Sequence, residues 1–221
     1  MRKPTHNILD AIGNTPIVEV PFNTEARIFA KLEYLNPGGS IKDRSALFMI
    51  EEAERSGVLK PGGTIIESSS GNQGVACAMI GALKGYKVII TASPSMSEEK
   101  VKTIQAYGAE VINCPAVPIH DPKSRHTVAK ELLKKTSNCF MPDQYFNLQN
   151  PKAHYSSTGP EIWKQTKGKI THFFAAGGTG GTISGVGKFL KEKNPKIKKM
   201  AVDVDTSFHS TDGKPQPYKM E

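Results

Sequence analysis

Short apolar, β-branched runs alternate along this chain with longer segments of helical period, and this alternation constrains the fold more than any other feature. Runs at 17–20, 28–32, 64–67, 87–91, 110–113, 171–175 and 200–204 predict strands, because Ile, Val and Phe suit a pleated, half-buried surface. Segments 41–56, 74–83, 97–107, 124–135, 158–165 and 181–193 predict helices. A strand–helix–strand order lays successive strands parallel and puts the crossover helices on the sheet faces. Pro61-Gly62-Gly63 and Pro94-Ser95 break the chain between elements. The 221 residues, 38% of them hydrophobic, suffice for one or two domains with a buried core.

Several function classes are excluded early. No apolar run approaches the ~20 residues of a membrane span, so no membrane association is expected. The opening MRKPTHNILDAIGNTP has basic residues but no apolar stretch behind them, so no secretory signal is expected. Three cysteines, Cys77, Cys114 and Cys139, are odd in number and widely spaced. They form no CxxC or Cys/His pattern, so neither a disulfide framework nor a metal site is expected, and a reducing cytoplasm is the expected compartment. The net charge of +8 includes six lysines between 188 and 199. That run reads as a solvated helix end, where cations suit the negative end of the helix dipole. No helix-turn-helix or RNA-type aromatic motif accompanies it, so no nucleic-acid partner is expected.

Open α/β sheets hold ligands where the carboxyl ends of strands lead into helices. AAGGTGGTISGVG (175–187) occupies such a place. Its glycines allow close approach to backbone N–H groups, the helix start adds positive potential, and Thr179 and Thr182 add hydroxyls, a combination suited to phosphate. It matches neither a Walker loop nor a dinucleotide fingerprint, and tight packing of a glycine-rich helix is the plain alternative. In KLEYLNPGGSIKDR (31–44), Lys42 sits at a helix start. The positive helix end there lowers an amine pKa, which helps attack on a carbonyl; an ordinary surface helix start is the alternative. ESSSGNQG (67–74) offers hydroxyls, an amide and free N–H groups for a carboxylate, or simple N-capping by Ser70 or Asn72. DQYFNLQNPKAHY (143–155) reads as a loop rich in side-chain amides, with His154 and Tyr155 as packing or loop residues.

Taken in this order and at these spacings, NPGGSIKDR, SSGNQG, DQYFN and GTGGT resemble the fold type II pyridoxal-phosphate enzymes, and within them the cysteine synthase and cystathionine β-synthase family. Gly13-Asn14-Thr15-Pro16 matches that family's opening, and the resemblance runs from about residue 7 to residue 204. It implies an α/β fold of two three-layer domains with mostly parallel sheets, tryptophan synthase β-like, with pyridoxal 5′-phosphate between them. The smaller domain is expected at 43–146. The larger combines 1–42 with 147–221 and lacks its C-terminal part, since such chains continue for about another hundred residues.

The resemblance also assigns roles. Lys42 matches the lysine that bonds the cofactor aldehyde, then removes and returns the substrate Cα proton. Asn72 matches the partner of the pyridoxal 3′-oxygen. Gly178, Thr179, Gly180, Gly181 and Thr182 match the 5′-phosphate loop. Ser69, Ser70, Asn72 and Gln73, helped by Gln144, match the substrate α-carboxylate site. The implied reaction is β-elimination or β-replacement on O-acetylserine, O-phosphoserine or serine with a thiol or sulfide, in a homodimer. The family pattern TSGNTG reads SSGNQG here, and the longer Gln73 is expected to reach towards the Cβ substituent and shape donor choice. A non-catalytic scaffold is the alternative from another class; the early chain end favours it, and retention of Lys42, Asn72 and GTGGT opposes it.

Overall fold

The computed structural model describes residues 6–207 and 210–214. Its contacts divide the chain into two units, residues 1–149 and 150–221.

In the first unit, β1 (Ile17–Val20) and β2 (Ile28–Lys31) form an antiparallel ribbon with Ile17 opposite Lys31. There follow α1 (Lys42–Arg55), β3 (Thr64–Ser68), α2 (Asn72–Lys84), β4 (Lys87–Ala92), α3 (Glu98–Ala106), β5 (Glu110–Asn113), α4 (Arg125–Lys135) and β6 (Cys139–Phe140). The last four strands make a parallel sheet in the order β5-β4-β3-β6. All five residues of the central β3 are buried, as expected of a parallel strand covered on both faces. Ile50, Ile65, Met79, Ile80, Ile90 and Ile104 form the main core, while Ile66, Ala129 and Met141 pack with Leu132 and Leu133 of α4 in a separate cluster. Helix α2 lies so close to β4 that a Cβ on Gly81 would stand 2.2 Å from Val88 Cγ2. Gly85, at φ 75°, ends α2 in the left-handed conformation that glycine tolerates best.

The start of α1 is tied to the N-terminal segment by a buried ion pair. Arg44 donates to both Glu33 oxygens, at 2.7 and 2.8 Å, and its side chain is 2% exposed. Burial alone pushes the Glu33 carboxyl up; Arg44, Thr15 and Asn36 outweigh it and hold the group below its usual range. A bidentate pair of this kind fixes geometry, and α1 carries Lys42 at its first residue.

In the second unit, α5 (Gln149–Ser156), which begins at the boundary, and α6 (Thr158–Gln165) precede β7 (His172–Ala176), α7 (Gly181–Lys193) and β8 (Lys198–Val202). β7 and β8 pair in parallel with His172 opposite Lys198, and Ile162, Phe173, Val186, Leu190 and Ile197 form the core.

Several elements differ from the expectation, among them α2, which starts two residues early at Asn72. Helix α5 lies in the amide-rich 143–155 segment, where no apolar period marks it; the Asn147 side chain accepts the Gln149 N–H at 2.9 Å, and Pro151 sits in the first turn, where it is tolerated. β6 is only two residues long, too short for a pattern. β8 starts two residues earlier than expected, since Lys198 and Lys199 join the ladder through their backbones.

Candidate active site

Lys42 opens α1 directly after the Pro37-Gly38-Gly39 turn. Asp43 closes that turn by accepting the Gly38 N–H at 2.6 Å, and a Cβ on Gly38 would collide with the Asp43 carboxylate. Ser40 Oγ accepts the Lys42 N–H at 3.1 Å. The Lys42 side chain is half-buried, and its Nζ makes no hydrogen bond or ion pair among the described residues. Burial lowers its pKa, and the nearby Glu67 carboxyl partly opposes this. The expected direction is therefore found, with burial rather than the helix end as the leading cause. Burial also pushes the Asp43 carboxyl up to about 6, and its Oδ1 is buried without a hydrogen-bond partner.

The carboxyl end of β3 leads into Ser69-Ser70-Gly71 and then α2. Neither Ser70 nor Asn72 caps the helix. Ser70 Oγ instead accepts the Ser93 N–H at 2.8 Å, and Ser69 Oγ accepts the Gly71 N–H at 3.2 Å. The cap residue is Gly71, so no side chain covers the first N–H groups of α2. The Asn72 amide makes no hydrogen bond among the described residues. Open N–H groups at the start of a thirteen-residue helix, flanked by hydroxyls and a free amide, suit a carboxylate. Gln144 is buried in the turn after β6, in the same unit.

Gln73 departs from the expectation for its side chain. It is 1% exposed, its Oε1 accepts from Ser45 Oγ at 3.5 Å, and its Nε2 lies 3.8 Å from Cys77 Sγ. The longer amide is thus folded between α1 and α2, where the core offers it partners, and only its backbone N–H belongs to the open first turn. Gln73→Thr is accordingly expected to lower stability by about 1–2 kcal/mol in thermal or urea unfolding, through lost packing and hydrogen bonding. A variant that unfolds at the wild-type denaturant midpoint would show that the side chain is not held between the two helices.

Glu67, one residue before the serines, carries no role in the sequence reading. It is 1% exposed on β3 and accepts the Asp143 N–H at 2.9 Å. Burial pushes its carboxyl up to about 8, against the opposing pull of that N–H. The available signal was an acid directly after the apolar pair Ile65-Ile66 in a strand.

In the second unit, Gly177–Gly180 links β7 to α7. Gly180 has φ 77°, and no side chain caps α7. A Cβ on Gly181 would stand 2.2 Å from Asn150 Oδ1, and the Asn150 amide donates to Thr179 Oγ1 at 3.1 Å. Thr182 Oγ1 lies 3.5 Å from His154 Nε2, while His154 Nδ1 pairs with Thr158 Oγ1 at 3.0 Å. His154 is buried, in agreement with its reading as a packing residue. Uncapped N–H groups, two threonine hydroxyls and glycines that exclude Cβ atoms match the donor set a phosphate needs.

Residues 8–220 match the family described as pyridoxal-phosphate dependent enzyme. The chain belongs to that family. It is 49% identical over 208 residues to cystathionine beta-synthase from Apis mellifera, covering 91% of this chain and 41% of that protein. It is 45% identical over 224 residues to cysteine synthase from Staphylococcus aureus, covering 100% of this chain and 71% of that protein. Among solved structures, a hydrogen sulfide-producing enzyme from Fusobacterium nucleatum superimposes with a TM-score of 0.92 at 41% identity, over 99% of this chain and 72% of that one. The chain therefore spans less than half of the bee relative and nearly three quarters of the other two. Family and fold follow: this is an α/β protein of the fold type II class, and its cofactor is pyridoxal phosphate. The residues fit that cofactor, with a half-buried amine of lowered pKa for its aldehyde and a side-chain-free helix start for its phosphate. Among the described residues no cluster of His, Cys, Asp or Glu is arranged to hold a metal, and no helix is long and apolar enough to cross a membrane.

Proposed function

We propose that this protein catalyses β-replacement on a serine-derived amino acid, O-acetylserine, O-phosphoserine or serine, with a thiol or sulfide as nucleophile. One observation carries the reading: Lys42 Nζ is half-buried, without a hydrogen-bond partner among the described residues, at the start of α1 in NPGGSIKDR. Relatives named cysteine synthase and cystathionine beta-synthase support it.

In this reading Lys42 would bond the cofactor aldehyde at rest, Asn72 would donate to the 3′-oxygen, and Gly178, Thr179, Gly180, Gly181 and Thr182 would hold the 5′-phosphate. Bound pyridoxal phosphate supplies an electron-withdrawing ring that makes the substrate Cα proton acidic. The backbone N–H groups of Asn72 and Gln73, with Ser69, Ser70 and Gln144, orient the substrate carboxylate. Lys42 Nζ would take the substrate Cα proton as base and return one as acid. Its lowered pKa keeps more of the amine neutral near neutral pH, as a group that serves as nucleophile, base and acid requires. Three unpaired thiols, Cys77, Cys114 and Cys139, fit a reducing compartment, and we assign the protein to the cytoplasm. The homodimer implied by the family resemblance belongs to the same reading.

The test is incubation of the chain and pyridoxal phosphate with each donor and either sulfide or homocysteine, with products read by mass spectrometry. The expected product is the alanine bearing sulfur at Cβ, cysteine from sulfide and the thioether from homocysteine, formed only with cofactor present. A chain that binds the cofactor but forms no such product from any pairing contradicts the proposal.

A further inference from the structure

In the second unit, α5 lies against α7, and two glycines one turn apart on α7 make the fit possible. A Cβ on Gly181 would collide with the Asn150 amide, and one on Gly185 with the Pro151 carbonyl oxygen and His154 Cβ. Residues four apart share one face of a helix. Asn150 and His154 are such a pair on α5, and each meets one of the two threonines of the 178–182 loop. The Asn150 amide donates to Thr179 Oγ1 at 3.1 Å, and His154 Nε2 stands 3.5 Å from Thr182 Oγ1.

The direction of these bonds decides what the threonines can offer. A hydroxyl has one proton and two lone pairs, so an oxygen that accepts from a neighbour keeps its proton for an acceptor elsewhere. Thr179 is in that state. For Thr182 the outcome depends on which His154 nitrogen holds the proton. His154 and Thr158 are both buried, so the Thr158 hydroxyl needs an acceptor. Among the described residues its side-chain partners are His154 Nδ1 at 3.0 Å and Ser157 Oγ at 3.5 Å, and Nδ1 is the nearer. With Thr158 donating to Nδ1, the ring proton sits on Nε2, where it faces Thr182 Oγ1. Thr182 then keeps its own proton as Thr179 does, and both threonines are half-buried, within reach of an incoming anion.

We propose that Asn150 and His154 are positioning residues for the cofactor's phosphate: by donating to Thr179 Oγ1 and Thr182 Oγ1 they leave both hydroxyl protons for the phosphate oxygens. Their role rests on the assignment of 178–182 to the 5′-phosphate. It gives α5 a task beyond packing. A threonine whose proton went to a histidine lone pair would present only oxygen lone pairs to an anion and repel it.

The test compares the ratio of dissociation constants for pyridoxal and pyridoxal phosphate between variants, which isolates the phosphate's share of binding. Thr182→Val should lower that ratio at least about tenfold and His154→Leu about as much, with the affinity for pyridoxal unchanged in both. His154→Gln, whose amide can still donate towards Thr182, should recover part of the loss. Because His154 acts through Thr182, the double variant should lose no more than either single one, whereas general damage to packing would add. On the wild-type chain loaded with pyridoxal phosphate, long-range proton–nitrogen correlation NMR should find the His154 proton on Nε2. A proton on Nδ1, additive losses in the double variant, or a wild-type ratio in His154→Leu where Thr182→Val lowers it would overturn the proposal. If Thr179→Val and Thr182→Val both keep the wild-type ratio, the phosphate reading of the loop fails, and the role of α5 fails with it.

Discussion

Lys42→Ala is expected to remove the visible absorption band that bound pyridoxal phosphate would give the wild-type chain, and to lower the proposed β-replacement by about a thousandfold or more. The size of the effect follows from the number of tasks proposed for that one nitrogen: bonding the aldehyde, taking the Cα proton and returning it. The loss should not come from unfolding. The Lys42 pKa is lowered in the folded chain, chiefly by burial, so the unfolded chain binds the proton more strongly. By linkage, that difference opposes folding at pH below the folded value and disappears as pH rises through the ordinary lysine value. Removing the ammonium therefore costs nothing electrostatically at neutral pH, and cofactor-free Lys42→Ala is expected to melt no lower than the cofactor-free wild type. Spectra and melting curves on the same preparation check both halves. A retained band of wild-type intensity would place the cofactor on another lysine.

Gly181→Ala should weaken cofactor binding by about 10- to 100-fold, or 1.4–2.7 kcal/mol. Helix propensity alone argues the other way, since alanine favours a helix over glycine by about 1 kcal/mol. The local geometry reverses the sign. The added Cβ would stand 2.2 Å from Asn150 Oδ1 and 2.7 Å from its Nδ2, so that buried amide has to move. Moving it breaks the 3.1 Å bond that holds Thr179 in the loop assigned to the phosphate. Thr179→Val, which removes the hydroxyl without adding bulk at Gly181, should give a smaller loss in the same direction. Cofactor titration followed by fluorescence or absorbance measures both. Wild-type affinity in Gly181→Ala would remove the loop from the phosphate site.

The parts of this protein that were legible in its sequence are those where local pattern and tertiary demand coincide. The buried β3 reads as an apolar run because a parallel strand needs apolar residues on both faces, and α7 reads as a helix because its leucine and valine return at helical spacing. The motif residues of the candidate site were legible for a different reason, their joint resemblance to one enzyme family. Helix α5 was not legible: its Gln-Asn-Pro opening carries turn chemistry, and its close packing on Gly185 through Pro151 and His154 leaves no local mark in the sequence. The orientation of Gln73 was hidden as well, because a polar side chain next to a ligand loop gives no local sign that Ser45 and Cys77 wait beneath it. Glu67 shows the same limit, since only the three-dimensional burial of β3 reveals how far its carboxyl is perturbed.

The proposed bond between Lys42 and the cofactor has a direct chemical test. Reduction of the pyridoxal-phosphate-loaded chain with borohydride fixes the bond permanently, and peptide mapping by mass spectrometry then locates the modified residue. A single modified peptide is expected, bearing the pyridoxyl group on Lys42. A pyridoxyl group found on a different lysine, or a reduced chain with no modified peptide despite bound cofactor, would contradict it.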